Sequence, residues 1–120
     1  MFNVLSMIVT IHGTGIELTP AIREYAETKI ESLTKFFDQI TKAEIDVGMT
    51  TQHHNKGEIY YAEVNLHIPG NVLRVSKEEK DLYKAIDTVK DHLKIDLEKI
   101  KGKKRAKDKK GLRQEKEYRA

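Results

Sequence analysis

Lysines at helical spacing near the C-terminus are the residues whose types and positions could do chemistry in this sequence. At about 100° per residue, Lys90, Lys94 and Lys101 fall within about 40° of one another on one flank of an apolar stripe. Ammonium groups on a rigid surface bind phosphates, and this needs no contact with base edges. The spacing therefore predicts a surface for a polyanion, most simply a nucleic acid.

Other cations lie on different sides of the predicted helices. Lys84 and Lys99 fall on the opposite flank of the same helix. In an earlier helix, Arg23 flanks the apolar stripe and Lys29 lies within it. A lysine is almost never buried without a partner. Lys29 therefore extends to solvent along the helix seam, pairs with a carboxylate of the later helix, or binds phosphate together with Arg23. The residues alone favour the first two alternatives.

The charge is distributed unevenly along the chain. Residues 1–98 carry 11 Lys/Arg and 16 Asp/Glu, whereas residues 99–120 carry 11 and 3. A basic end on a mildly acidic body favours a polyanionic partner, the alternative being a solvated tail that aids solubility.

The sequence contains no constellation typical of an enzyme. It has no cysteine, no G-x-S-x-G, no glycine-rich phosphate loop and no H-E-x-x-H. The adjacent His53 and His54 lie in a predicted hairpin turn without obvious further ligands, which disfavours a metal site. Asp87, Asp91 and Glu98 look like ordinary carboxylates of a solvated helix surface. We expect no catalysis, no cofactor and no small-molecule substrate.

Length and composition predict a single cytoplasmic domain. A chain of 120 residues suffices for one modest core. The absence of cysteine fits a reducing compartment. No apolar run approaches the roughly 20 residues that span a bilayer, and the opening MFNVLSMIV lacks the features of a signal peptide. We therefore expect no membrane partner.

Hydrophobic periodicity predicts the order β-α-β-β-β-α. Alternating residues indicate strands, and Thr19-Pro20 and Asp81 are helix-start signals. Gly102 is a natural C-terminal cap of the last helix. The expected strands are 7–12, 42–50, 58–69 and 72–76, and the expected helices are 20–37 and 82–101. This predicts an α+β two-layer sandwich, a four-stranded sheet with both helices on one face, over residues 7–101, followed by a mobile basic tail over 102–120.

Three stretches together resemble the ribosome hibernation promoting factor / protein Y family: VTIHGTGIELTPAIREYAETKIESLTKFFD (9–38), AEVNLHIPGNVLRVS (62–76) and DLYKAID (81–87). The resemblance implies a fold related to double-stranded-RNA-binding domains. It also implies a translation inhibitor that binds 16S rRNA of the small subunit, in the channel of mRNA and of A- and P-site tRNA, and keeps 70S ribosomes inactive in stationary phase or stress.

The resemblance also implies the residues that face rRNA. Arg23, Lys29, Arg74, Lys99 and Lys101 stand where the family carries basic residues, while His92 and Ile95 replace two further cations. With the lysines found by spacing, the expected rRNA-binding set is Arg23, Lys29, Arg74, Lys84, Lys90, Lys94, Lys99 and Lys101. The resemblance, and the placement of Arg23 on the same helix, favour the interpretation that Lys29 binds phosphate.

The chain resembles the short members of the family, since it ends before a second, dimerising domain could begin. Its basic end is closest to the short factor that acts with a separate ribosome-dimerising partner. The alternatives are a general double-stranded-RNA-binding module, with the tail as its main contact, and a protein-interaction regulator.

Overall fold

The computed structural model describes the backbone of residues 7–50 and 58–117, and the side chains of residues 7–50 and 58–102. Residues 1–6, residues 51–57 with the whole predicted hairpin loop and its His53 and His54, and residues 118–120 lie outside this range. The elements are β1 (Ile8–Thr14), α1 (Pro20–Glu31), a short 3-10 helix (Ser32–Lys35), β2 (Lys42–Thr50), β3 (Ile59–Ile68), β4 (Asn71–Glu79) and α2 (Leu82–Glu117).

The four strands form one sheet in the order β1-β2-β3-β4. β1 runs parallel to β2, with Ile11 beside Ile45, because α1 carries the chain back across the sheet. β2–β3 and β3–β4 are antiparallel. The predicted two-layer α+β fold is confirmed, whereas the relation to double-stranded-RNA-binding domains stays a prediction.

The core lies between the sheet and the two helices. In β3, alternate residues from Ala62 to Ile68 are buried, and α2 buries Ala85, Val89, Leu93 and Leu97 completely. Strands with this alternation bury one face and leave the other to water. The helices therefore occupy the layer over the buried face, and among residues 7–50 and 58–102 nothing covers the opposite sheet face, which we call the uncovered face.

The first helix begins as predicted and ends earlier. The Thr19 hydroxyl oxygen accepts a hydrogen bond from the Ile22 amide at 3.2 Å, and Pro20 follows the cap. The apolar pattern predicts a helix through residue 37, but α1 ends at Glu31 and a 3-10 helix follows. The Ser32 and Thr34 hydroxyls donate to the carbonyls of Lys29 and Glu31, interactions typical of such helix ends.

The predicted end of the second helix at Gly102 is wrong. Helix α2 continues to Glu117, and the positive-φ glycines of the described backbone are Gly15 and Gly70. The residues after Gly102 are mainly Lys, Arg, Ala, Gln and Glu, which favour helix, and one glycine costs only about 1 kcal/mol. Because the helix is already nucleated in the core, that cost does not end it. The mobility of residues 102–120 stays a prediction.

Changing Gly102 to alanine tests this helix end. No atom lies within 4 Å of a Cβ built there. Inside a helix, alanine should raise helical content and stabilise the chain by about 0.5–1 kcal/mol. A left-handed cap glycine would give the opposite sign. Thermal unfolding followed by far-UV circular dichroism measures the change, and a lower melting temperature would restore the cap interpretation.

Candidate nucleic-acid interface

Helices α1 and α2 contact each other through aromatic and carboxylate side chains, and we call this line of contact the seam. Tyr25 of α1 donates its hydroxyl proton to Asp87 Oδ1 of α2 at 2.7 Å. The Tyr25 ring also packs edge-on against Tyr83, with centroids 4.8 Å apart. The hydrogen bond to Asp87, together with burial, raises the pKa of Tyr25 to about 12. The phenol therefore stays protonated and keeps the helices joined at neutral pH.

Lys29 lies at this seam, one turn after Tyr25. Its Nζ is 3.4 Å from Asp87 Oδ1 and 5.4 Å from the centre of the Tyr25 ring. Its side chain is 38% exposed. Of the alternatives that the sequence left open, the structure shows the pair with a carboxylate of the later helix, and the ammonium stays accessible from solvent.

The predicted lysine flank of α2 lies along the same seam. Lys94 Nζ lies 4.5 Å from the centre of the Phe36 ring, and Lys101 Nζ donates to the Phe36 carbonyl oxygen at 2.9 Å. Lys90 lies one turn before Lys94 on the same flank of α2, with a side chain 21% exposed and its Nζ 4.0 Å from Asp91 Oδ1. We call Lys29, Lys90, Lys94 and Lys101 the seam cations. Contacts with Asp87 for Lys29, and with Phe36 for Lys94 and Lys101, hold three of these four charges at the seam.

Arg23 does not join this surface. It lies about 120° from Lys29 around α1, on the flank away from Tyr25. Its guanidinium pairs with Glu27 at 3.9 Å, one turn along the same helix. The seam therefore does not bring Arg23 beside Lys29, and a shared role of the two residues in phosphate binding stays a prediction.

Three other predicted residues also lie elsewhere. Lys84 and Lys99 are exposed on the opposite flank of α2, as predicted, and Lys99 borders a shallow groove of about 360 Å³ with Lys77 and His92. Arg74 lies on the uncovered sheet face, where its Nε donates to Asn65 Oδ1 at 2.8 Å. The eight predicted residues thus occupy several surfaces, and four of them form the seam.

The uncovered sheet face has a different electrostatic character. It carries Glu44, Asp46 and Glu63 on adjacent strands. His67 Nε2 lies 2.9 Å from Glu44 and Lys42 Nζ 3.3 Å from it. Hydrogen bonds from these two groups hold the pKa of Glu44 below its usual value. The carboxylates make this face a poorer surface for phosphate than the seam.

Sequence reasoning missed the roles of Asp87 and Phe36. Asp87 looked like one of several solvated carboxylates, but it contacts both Tyr25 and Lys29. Phe36 looked like one more residue of an apolar stripe, but its ring and carbonyl position two lysines. For Asp87 the signal was spacing, since Lys29 lies within the apolar stripe of one helix and Asp87 lies beside that of another helix expected to pack against it.

The described residues offer neither a cluster of metal ligands nor a membrane-spanning helix. Over residues 7–50 and 58–102, no group of three or more His, Cys, Asp or Glu is arranged to hold a metal ion, and His53 and His54 lie outside that range. Within the described helices, none is long and apolar enough to cross a membrane.

Known proteins are similar to this chain in sequence and in fold. A factor of Klebsiella oxytoca named ribosome hibernation promoting factor is 36% identical over 99 residues, covering 81% of this chain and 96% of the relative. The ribosome hibernation promotion factor of Deinococcus radiodurans is 34% identical, covering 78% of this chain. This chain spans about half of that relative's length, 49%.

Solved structures agree with these sequence matches. A ribosomal subunit interface protein from Coxiella burnetii superposes with a TM-score of 0.70 at 25% identity, covering 80% of this chain and 99% of that one. The N-terminal domain of Protein Y from Thermus thermophilus gives 0.68 at 29% identity, covering 79% and 99%. Residues 9–105 match the family described as sigma 54 modulation protein / S30EA ribosomal protein. The chain therefore belongs to the sigma 54 modulation protein / S30EA ribosomal protein family.

Proposed function

We propose that this protein is a ribosome hibernation factor that binds 16S rRNA of the small subunit through the seam cations. The observation that carries the proposal is that contacts across the seam hold three cations, Lys29 through Asp87, and Lys94 and Lys101 through Phe36. Relatives named as hibernation factors, 31–36% identical, supply the ribosome as the partner.

Phosphate recognition explains what the seam would do chemically. A-form RNA presents regular phosphates beside a wide, shallow minor groove, and proteins recognise it largely by shape. Cations fixed on one surface suit that pattern, because little side-chain freedom is lost on binding. Binding alone would block translation if the chain occupied the channel of mRNA and of A- and P-site tRNA. The proposal involves no catalysis and no cofactor, and it implies a cytoplasmic protein.

The remaining predicted cations would act at the edges of this contact. Arg23, Lys84 and Lys99 are exposed on outer flanks of the two helices. Exposed charges beside a main contact attract a polyanion through a field that salt screens within about 10 Å at 0.1 M. Arg74 lies on the other side of the sheet and would need a separate contact. We therefore assign the larger share of the affinity to the seam.

Co-sedimentation with purified ribosomal particles tests the proposal. At low salt, the full chain should migrate with 30S subunits and 70S ribosomes on a sucrose gradient, and translation in a reconstituted system should fall as it is added. Migration with neither particle would contradict the proposal. A gradient in cell extract would also show whether 70S ribosomes stay single or pair, which bears on a separate dimerising partner.

A second candidate function rests on the basic end of the chain. Residues 103–120 carry nine Lys/Arg and three Asp/Glu. If this segment were the main contact, the protein would be a general double-stranded-RNA-binding module. Changing the basic residues of this segment to glutamine would then abolish ribosome binding, whereas the seam proposal predicts a modest, salt-sensitive loss. Binding that survives the change favours the seam.

A further inference from the structure

Asp87 gives the seam a negative charge at the point where the proposed function requires a phosphate. Its Oδ1 lies 3.4 Å from Lys29 Nζ and accepts the Tyr25 hydroxyl at 2.7 Å. Both members of the ion pair are partly open, with side chains 38% and 41% exposed. A phosphate that approached Lys29 would therefore meet the carboxylate already paired with it.

We propose that Asp87 competes with RNA phosphate for Lys29, so that binding at this point is an exchange of one anion for another. The inference rests on the proposed function. It makes Asp87 a residue that sets affinity and specificity, although Asp87 itself contacts no RNA. In the free protein Lys29 is held by Asp87, and in the complex its ammonium pairs with a phosphate.

The geometry allows the lysine to move while the carboxylate stays. Lysine carries its charge on a flexible four-carbon stem. An ion pair between two side chains this exposed is weak, and so it opens readily. Asp87 cannot follow the ammonium, since the buried side of the seam holds it through Tyr25. The exchange therefore leaves an unpaired carboxylate beside the bound RNA.

This unpaired carboxylate has a consequence for salt dependence. Each phosphate neutralised by a lysine releases counterions, which makes affinity fall with salt. Asp87, once unpaired, attracts cations from solution, and this attraction offsets part of the release at that contact. Lys29 should then contribute less than one unit to the slope of log affinity against log salt, although it touches a phosphate. A neutral residue at position 87 would bring that contribution closer to one unit.

The exchange also disfavours incorrect partners. A single phosphate must displace a carboxylate that already lies 3.4 Å from Lys29. An RNA surface that contacts Lys90, Lys94 and Lys101 at the same time gains binding free energy from those contacts, and this gain offsets the cost of displacing Asp87 from Lys29. A repulsive element that penalises poor matches more than good ones is a general source of specificity.

Asp87→Asn tests the inference in the full chain. The carboxamide oxygen can still accept the Tyr25 hydroxyl, and the charge is gone. We expect binding to 30S subunits at low salt to tighten about three- to tenfold, with a steeper slope of log affinity against log salt. Asp96→Asn is the matched control: it removes one charge from the same helix, about 180° away, where Asp96 lies 3.5 Å from His92. The control should leave the slope unchanged.

A second pair of variants links the effect to the lysine. With Lys29 changed to glutamine, adding Asp87→Asn should no longer steepen the slope. Equal behaviour of Asp87→Asn and Asp96→Asn, or weaker binding by Asp87→Asn with its melting temperature unchanged, would overturn the inference. Wild-type chain that fails to bind in the same titration would instead contradict the proposed function and, with it, the exchange.

Discussion

Changing Lys90, Lys94 and Lys101 together to glutamine should weaken binding to the small ribosomal subunit by about a hundredfold at low salt. The slope of log affinity against log salt should fall by about three, one unit for each phosphate that no longer meets an ammonium group. The three side chains lie on the seam flank of α2, and none of them is among the fully buried residues such as Leu93 and Leu97. The fold should therefore persist, which circular dichroism and thermal unfolding would check.

A control with the same net charge separates position from charge. Changing Lys42, Lys77 and Lys80 to glutamine removes three cations from the sheet and the end of β4. Because these lysines lie off the seam, the control should lower affinity only several-fold, through the screened field of the whole molecule. Equal reductions in affinity for the two triple variants would contradict a localised interface.

Gly48→Ala should destabilise the sheet by about 1–3 kcal/mol. Gly48 lies between β1 and β3, opposite Thr14 on one side and Tyr61 on the other. A Cβ at this position would overlap the Thr14 carbonyl oxygen and lie 2.8 Å from the Tyr61 ring. The carbonyl belongs to the backbone, and the Tyr61 hydroxyl is held by Asp46 at 3.1 Å. Neither neighbour moves without cost.

Chemical denaturation of Gly48→Ala measures this effect as a lower midpoint. Gly102→Ala provides the comparison, since the same change of residue type meets no neighbouring atom there and should stabilise. Ribosome binding by the folded fraction of Gly48→Ala should stay near that of wild type, because the seam lies on the other side of the sheet. An unchanged unfolding free energy would show that β1 can shift away from β2 cheaply.

Much of the fold follows from local patterns in the sequence. The alternation from Ala43 to Val47 and from Tyr60 to Ile68 identifies β2, β3 and their buried faces. Thr19-Pro20 marks the start of α1. Local patterns do not predict the requirement for glycine at position 48, because it arises from a contact with Thr14, which lies 34 residues earlier in the sequence. The continuation of α2 past Gly102 reflects a cooperative helix, which a single residue does not reveal.

For the candidate site too, positions within one helix could be predicted from the sequence, whereas contacts between the two helices could not. Helical spacing placed Lys90, Lys94 and Lys101 correctly on one flank, because angles around one helix are set by sequence alone. It did not show that Arg23 lies off the seam, because which flank of α1 faces α2 depends on how the two helices pack. Asp87 was misjudged for a related reason: a carboxylate that is exposed on an isolated helix can contact the neighbouring helix once both lie on the sheet.

The proposed interface is tested most directly by locating the surface of the protein that contacts rRNA. A cryo-electron microscopy structure of the full chain on the small subunit would measure this directly. We predict that the Nζ atoms of Lys29, Lys94 and Lys101 lie about 2.7–3.2 Å from phosphate oxygens, with the uncovered sheet face turned away. A bound chain whose seam faces solvent, with contacts through the sheet or the basic end instead, would contradict the proposed interface.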